Sequence, residues 1–347
     1  STRLPRAIRD VYKRQVYKGV AARMQSTIRK QLLQVFSEAD GEFVSGQTIS
    51  DKLGCSRTAV WKHMEDLRNE GYELEAVRRL GYRIASKPDK VTANEIQLGL
   101  QTKHIGRTVY FEESVESTQY IAAKLAYEGA EEGTIVVAEE QTAGKGRLSR
   151  KWHSPKGTGI WMSIILRPSI PVHHAPQLTL LAAVSVAQAI EKCTGVNVGI
   201  KWPNDILIQG KKAVGILTEM QADPDKINAV IMGIGINANQ KQEHFDEEIQ
   251  HIATSLAIES GKPIVRAELM QQIFLQLEKL YEEYLQNGFS VIKILWESYA
   301  VSIGKEINAR TMRETITGIA KGITEDGVLL LEDLSLIHIS DGAREAC

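Results

Sequence analysis

Apolar positions along the chain fall into three segments of different patterning. Ile28, Leu32, Val35 and Phe36 recur at helical spacing and predict an amphipathic helix. Ile49 and Leu53 mark a short second helix that ends at Gly54, since glycine takes a left-handed C-cap without a Cβ penalty. Ser56 is a natural N-cap for a third helix, which has Val60, Met64 and Leu67 on its inner face. After Gly71 the stretch YELEAVRRLGYRI alternates as a hairpin does, with Arg78 and Arg79 near its tip. Two short helices across a tight turn, followed by a hairpin, predict a winged helix-turn-helix over residues 24–87.

Ser86-Lys-Pro-Asp then breaks the pattern as a linker does. Over residues 92–287, apolar runs predict strands at Val109–Glu112, Thr134–Glu140, Gly159–Leu166, Val198–Trp202, Ala213–Met220 and Ala229–Ile236. Helical spacing covers Thr118–Tyr127, Pro176–Lys192 and Val265–Gln286. This order gives an α+β (mixed α/β) core, a mixed sheet with helices packed on it. Over residues 289–333, a helix at Ile292–Tyr299 precedes short strands at Glu306–Arg310, Glu314–Ile323 and Val328–Glu332. With Gly318, Gly322 and Gly327 at bends or turns, they predict a small SH3-like β-barrel.

Both ends depart from these periods. Residues 1–23 are basic and aperiodic ahead of Met24, and residues 335–347 abandon the strand pattern; both are expected to be non-native. A basic transit peptide is the rival explanation for the first.

Composition narrows the class. The 347 residues are 43% hydrophobic and 24% charged, ordinary for a globular protein, and a net charge of −1 gives no global pull toward nucleic acid or membrane. Phosphate binding must come from local Lys and Arg clusters. Cys55, Cys193 and Cys347 are too scattered for a zinc site or disulfide framework, so no metal is assigned and a reducing cytoplasm fits. The apolar run Leu178–Ile190 is interrupted by Ser185 and Gln188 and is too short to span a bilayer; no membrane partner is expected.

In a winged helix-turn-helix the third helix enters the major groove. Here Ser56, Arg57, Thr58, Trp61 and Lys62 would start that helix or point outward, and Arg78 and Arg79 would grip phosphates. The bland alternative is a docking domain with solvated charges. Elsewhere, Gly144 and Gly146 frame Lys145 ahead of Arg147, a basic loop suited to closing over a phosphorylated ligand, or else a plain surface turn. It is not a Walker A loop, because no GxxxxGK[ST] run is present. KWPNDI puts Lys201 at a strand end before Asn204 and Asp205, which are alternatively only a hairpin turn; Trp202 is alternatively core. GIGIN places two glycines in an apolar strand, as where a ligand lies on the backbone, with Asn237 alternatively a strand cap.

Taken together, Ser117–Thr118, the GKGR loop at 144–147, Arg150, Trp152, KWPND at 201–205, GILTE at 215–219 and GIGIN at 233–237 resemble the biotin–protein ligase family. Behind a winged helix-turn-helix they resemble its bifunctional bacterial repressors, and the likeness spans nearly all of residues 24–333. The resemblance implies a class II synthetase-like central sheet and a two-step reaction. Biotin carboxylate attacks the α-phosphate of MgATP to give biotinyl-5′-AMP and pyrophosphate. A lysine of a biotin carboxyl carrier domain then takes the biotinyl group. Both nucleophiles belong to substrates, so positioning and charge neutralisation carry the catalysis.

Carried over by position, Ser117, Thr118, Gln119 and Gln141 would bind the biotin head, with Gly215 in the pocket wall. Lys145, Gly146 and Arg147 would cover the carboxylate and phosphate. Lys201 and Arg147 would act as the catalytic cations, Lys201 bridging carboxylate and α-phosphate. Arg150, Trp152, Asn204 and Asn237 would lie near the adenylate. The resemblance also implies operator DNA as a partner and a homodimer formed when biotinyl-AMP is bound. Gln119 replaces the usual Asn, GKGR replaces GRGR and so loses a guanidinium fork, and the family's barrel normally continues past Asp333. Alternatives are a single-function ligase, a ligand-sensing repressor without catalysis, and a lipoate–protein ligase.

Overall fold

The structure is a computed structural model that describes residues 28–29, 31–69, 71–310, 315–332, 336–339 and 345–346. Expectations for residues 1–27 lie outside them. The chain divides into two compact units, Ser1–Pro88 and Asp89–Cys347.

In the first unit, α1 (residues 31–38, with helical residues 28–29 upstream) buries Leu32, Leu33, Val35 and Phe36. Ser45 caps α2 (Gly46–Leu53) by accepting from the Thr48 amide, and Gly54 ends it at φ 60°. The third helix, α3 (Arg57–Asn69), buries Val60, Met64 and Leu67 at the spacing seen in the sequence. Strands β1 (Glu73–Val77) and β2 (Gly81–Ser86) pair antiparallel, and Val44 bridges to Tyr82 beside them. This is the winged helix-turn-helix that the periodicity predicts.

The second unit opens with α4 (Ala93–Gln97) and centres on a seven-stranded sheet ordered β3-β4-β5-β9-β8-β7-β6. Its strands are β3 (Val109–Glu112), β4 (Ile135–Ala138), β5 (Ile160–Leu166), β6 (Gly199–Lys201), β7 (Asp205–Ile208), β8 (Lys211–Asp223) and β9 (Lys226–Ile236). Only β3–β4 is parallel. Alternate residues face opposite sides of a strand. Thus Ile135 and Val137 join the large core with α6 (Ala175–Thr194) and α8 (Arg266–Asn287), while Val136 joins a smaller one under α5 (Thr118–Tyr127). Leu178–Ile190 lies within the buried α6, as expected of that run.

The periodicity missed β7 because Asn204–Asp205 resembles a bare turn; Asp205 in fact starts a strand that pairs with Gly215. The expected strand Val198–Trp202 shortens to Gly199–Lys201. Two short helices, α4 and α7 (Leu256–Ser260), were also invisible to a pattern that needs more than one turn.

After α9 (Ser290–Tyr299), strands β10 (Glu306–Arg310), β11 (Thr315–Ile323), β12 (Leu329–Glu332), β13 (Leu336–Ile339) and β14 (Glu345–Ala346) make a small antiparallel sheet. Gly322 sits at a β11 bulge and Gly327 in a turn, but Gly318 lies within β11 opposite Ile307, so it marks no bend. Residues 336–339, set aside above as losing the pattern, pair along β12. This sheet belongs to the same compact unit as the seven-stranded one.

A buried cation ties the unit's first residue to the sheet. Arg266, 1% exposed, donates to Asp89 Oδ2 at 2.9 Å and to Glu139 Oε2 at 2.8 Å, and its backbone N–H donates to Asp89 Oδ1. Asp89 Oδ2 also accepts from Asn239 at 3.0 Å. Glu139 lies at the end of β4 and Asn239 just beyond β9, so one ion-pair cluster anchors both segments that lead into the site described next.

Candidate functional site

On the α5 face of the sheet, the alternation runs Ile231, Gly233, Gly235 along β9. Ile231 and Ile165 are covered by Ala122 and Ala126 of α5. Beyond them the strands present bare backbone, Gly215 paired with Gly235 and Leu217 with Gly233. A cavity of about 560 Å³ opens there. Ser117, Thr118, Gln119, Gln141, Lys145, Gly146, Arg147, Arg150, Trp152, Lys201, Asn204, Gly215 and Asn237 all line it, so residues scattered over 121 positions of sequence converge.

The glycines are there because other side chains occupy the Cβ positions. A Cβ on Gly215 would stand 2.8 Å from the Trp152 ring, and one on Gly233 would stand 2.7 Å from Gln119 Oε1. The Trp152 indole therefore lies across β8 and β9 as one wall, and its ring is T-shaped to that of Trp161.

The inner end is a hydrogen-bond chain. Ser117 caps α5 by accepting from the Gln119 amide, 3.3 Å. Gln141 Oε1 accepts from the Thr118 amide and hydroxyl at 2.9 and 3.1 Å, and its Nε2 donates to Ser154. Thr118 Oγ1 and Ser163 Oγ lie 2.9 Å apart, either able to donate to the other, and Ser163 Oγ is also 2.9 Å from the acceptor Gln119 Oε1. Gln119 Nε2 reaches the Ile231 carbonyl at 3.0 Å. The extra methylene of Gln over Asn thus takes this amide across to β9, where both of its ends are engaged by protein.

The basic loop forms the opposite side. Lys145 pairs with Lys151 in an antiparallel bridge, and its ammonium sits 3.5 Å from the Tyr120 ring centroid, a cation–π contact. Arg147 Nη1 donates to Asn204 Oδ1 at 3.4 Å, while Asn204 Nδ2 donates to the Ile216 carbonyl at 2.9 Å. Lys201 ends β6, and among the described residues no carboxylate pairs with it. Trp202, beside it, is buried and donates to the Gly327 carbonyl, a core role. Asn237 spends its amide on the Thr254 carbonyl and on Gln240, holding the loop that returns over the cavity.

Sequence reasoning missed Lys212, Gln240, Ser154 and Ser163. Lys212 pairs with Asp205 at 2.7 Å and sits over Trp152, but a Lys opening a strand gives no distinctive signal. Six cations line the cavity (Lys145, Arg147, Arg150, Lys151, Lys201, Lys212) against a single described carboxylate, Asp205, so the space suits an anion. Asp205 Oδ1 is met only by the Lys212 ammonium, and two other buried polar atoms on the lining, Trp152 Nε1 and Gln240 Oε1, have no hydrogen-bond partner among the described residues. These last two leave one donor and one acceptor for a ligand.

In the first unit, Ser56 Oγ accepts from the Ala59 amide at the start of α3. Arg57 is held by Gln47 of α2 at 2.7 Å. Thr58, Trp61 and Lys62 share one exposed face, and Trp61 is 57% exposed, unusual for so large a ring. Arg78 and Arg79 are exposed at the hairpin tip.

The second unit is thus an α+β core with a cavity whose cationic lining suits an anion, and the first unit is a winged helix-turn-helix. Residues 111–237 match the biotin/lipoate A/B protein ligase family, residues 28–83 an HTH domain, and residues 302–340 the biotin protein ligase C-terminal domain. The bifunctional ligase/repressor BirA of Bacillus spizizenii is 58% identical over 309 residues, 89% of this chain and 95% of that protein. Its Bacillus subtilis counterpart is 57% identical over the same shares. The biotin protein ligase of Aquifex aeolicus, solved with biotin and ATP, superposes with a TM-score of 0.60 at 32% identity, covering 70% of this chain and 98% of that one. The chain belongs to the bifunctional ligase/repressor family of biotin protein ligases.

Proposed function

We propose that the chain activates biotin with ATP as biotinyl-5′-AMP, transfers the biotinyl group to a lysine of a biotin carboxyl carrier domain, and represses biotin genes through its winged helix-turn-helix. One observation carries the enzymatic half: a single cavity unites the Ser117–Thr118–Gln141 hydrogen-bond chain with six cations. That pairing suits a ligand with a neutral polar head at one end and anionic groups at the other.

In this reading Ser117, Thr118 and Gln141 bind the ureido head, and Gln119 supports them from behind because its amide is already engaged. Lys201 bridges the biotin carboxylate and the α-phosphate. It offsets the repulsion between them as the carboxylate oxygen attacks the α-phosphorus and the bond from that phosphorus to the α–β bridging oxygen breaks, pyrophosphate leaving with the bonding pair. Lys145, Gly146 and Arg147 close over the same atoms, and Arg147 is preset by Asn204. Arg150, Trp152 and Asn237 with its loop flank the adenylate. In the second step the carrier lysine amine attacks the biotinyl carbonyl and AMP leaves with the bonding pair.

Mg2+ fits as an ion carried on the ATP phosphates. Asp205 is the only carboxylate among the described lining residues and is shared with Lys212, so the protein offers no cage of its own. Mg2+ would neutralise phosphate charge there.

Ser56, Arg57, Thr58, Trp61 and Lys62 are proposed to face base edges, with Arg78 and Arg79 on phosphates. Biotinyl-AMP then acts as corepressor by favouring a homodimer that spans two half-sites. Under this reading the chain works in the cytoplasm. No helix among the described residues is long and apolar enough to cross a membrane.

The test is incubation with biotin, MgATP and a purified carrier domain, followed by mass spectrometry. One biotinyl mass increment on a single lysine is expected. An unmodified carrier, with lipoate transferred instead, would favour the lipoate ligase reading.

A further inference from the structure

Away from the cavity, three side chains with metal-ligand chemistry meet. His173 and His174 lie in the single 3-10 turn Val172–His174 that leads into α6, and Asp326 lies in the turn between β11 and β12. A nitrogen from each histidine and an oxygen of Asp326 all fall within 4.8 Å of one another. The two imidazoles are 4.3 Å apart between centroids, and His174 Nε2 is 3.7 Å from Asp326 Oδ1. None of the three belongs to the lining of the cavity. Separated by about 150 positions in sequence, they form no recognisable ligand spacing, which is why the sequence alone assigned no metal.

Two imidazoles and a carboxylate are a donor set for Zn2+ and neighbouring first-row ions, whereas Mg2+ prefers oxygen alone. Bonds of ~2.0–2.2 Å in tetrahedral geometry put ligand atoms ~3.3 Å apart, so no pair needs to close by more than about 1.5 Å, and His174 and Asp326 need to close by much less. His173 and Asp326 are exposed and His174 half-buried, so side-chain rotation supplies that movement. The backbone on both sides is already fixed. Gln177 Nε2 donates to the Glu325 carbonyl at 2.8 Å, Lys293 pairs with the Glu325 carboxylate at 2.6 Å, and Thr324 Oγ1 accepts from the Asp326 and Val328 amides. A site whose supports are in place loses less entropy on binding.

We propose that His173, His174 and Asp326 form a surface site for a late first-row divalent ion, Zn2+ being the type, that clasps the β11–β12 turn to the start of α6. Water completes the coordination. The clasp also bears on the cavity: Gly327, in the same turn, accepts from Trp202, the residue after Lys201. The ion therefore fastens the turn that backs the Lys201 strand.

The test is calorimetric titration of tag-free, chelator-treated full chain with ZnCl2, in parallel with His174→Ala and Asp326→Asn. Saturable binding of one ion is expected, weakened about tenfold or more in each variant. Amide exchange across residues 324–328 should slow with Zn2+ in the parent chain and not in the variants. Equal binding by parent and both variants, no binding by the parent, or an equal response to Mg2+ would each overturn the assignment.

Discussion

A Cβ on Gly235 would stand 2.5 Å from the indole Nε1 of Trp152. The tryptophan can lie against β9 only because position 235 has no side chain, and the wall of the cavity depends on that fit. Gly235→Ala is expected to swing the indole away and lower the kcat/KM for biotin activation at least tenfold, with little change in melting temperature. A shift in intrinsic fluorescence should accompany it. Unchanged fluorescence with unchanged activity would mean the indole is not held as described.

Arg147 reaches Asn204 from across the cavity. A charge-assisted hydrogen bond contributes roughly 1.5–3 kcal/mol, so its loss weakens retention of the intermediate by about one to two powers of ten. Arg147→Ala should release biotinyl-AMP into solution and label bystander lysines, seen by streptavidin blot. A mutant that labels only the carrier lysine contradicts the assignment of this loop.

Glu278 offers a control remote from the chemistry. Its carboxylate accepts from three successive backbone amides, Lys103 at 2.6 Å, His104 at 2.7 Å and Ile105 at 2.9 Å. Burial pushes its pKa up, but the three N–H donors together hold it below the ordinary glutamate value. A depressed carboxyl pKa contributes stability present above the unfolded value of ~4.3 and lost as pH falls through the folded value. Melting temperature should therefore fall with acidification below that range in the parent chain, and less steeply in Glu278→Gln. Glu278→Ala, leaving three amides without an acceptor, should cost about 2–4 kcal/mol in urea unfolding while kcat at saturating biotin holds.

The hairpin-tip arginines are phosphate contacts in this account. Each of Arg78→Ala and Arg79→Ala should weaken operator binding across sequences and reduce the salt slope by about 1. Trp61→Ala should instead alter sequence preference at constant slope. Gel shifts across a salt series separate the two, and identical slopes for parent and arginine variants would return the module to a docking role.

Long periodic segments were plain in the sequence. Thr118–Tyr127 emerges with the bounds its spacing gave, and Val60, Met64 and Leu67 are buried where a 3.6-residue period puts them. The motif residues converge on one cavity because glycines and short polar residues at strand ends leave a recognisable trace. What stayed hidden depends on partners distant in sequence. The Asp89–Arg266–Glu139 cluster joins residues up to 177 positions apart, and an arginine opening a helix gives no hint of being 1% exposed. β7 stayed hidden for a different reason: its four residues between Asn204 and the Gln209–Gly210 turn are too short a run to show a period, although it pairs with β8 as a local hairpin.

The most direct test of the central claim is biotin-dependent exchange of labelled pyrophosphate into ATP, with lipoate and no-acid controls. Exchange with biotin alone is the predicted result, and Lys201→Ala should abolish most of it. Exchange driven by lipoate but not biotin, or none with biotin from folded protein that still binds it, would contradict the account.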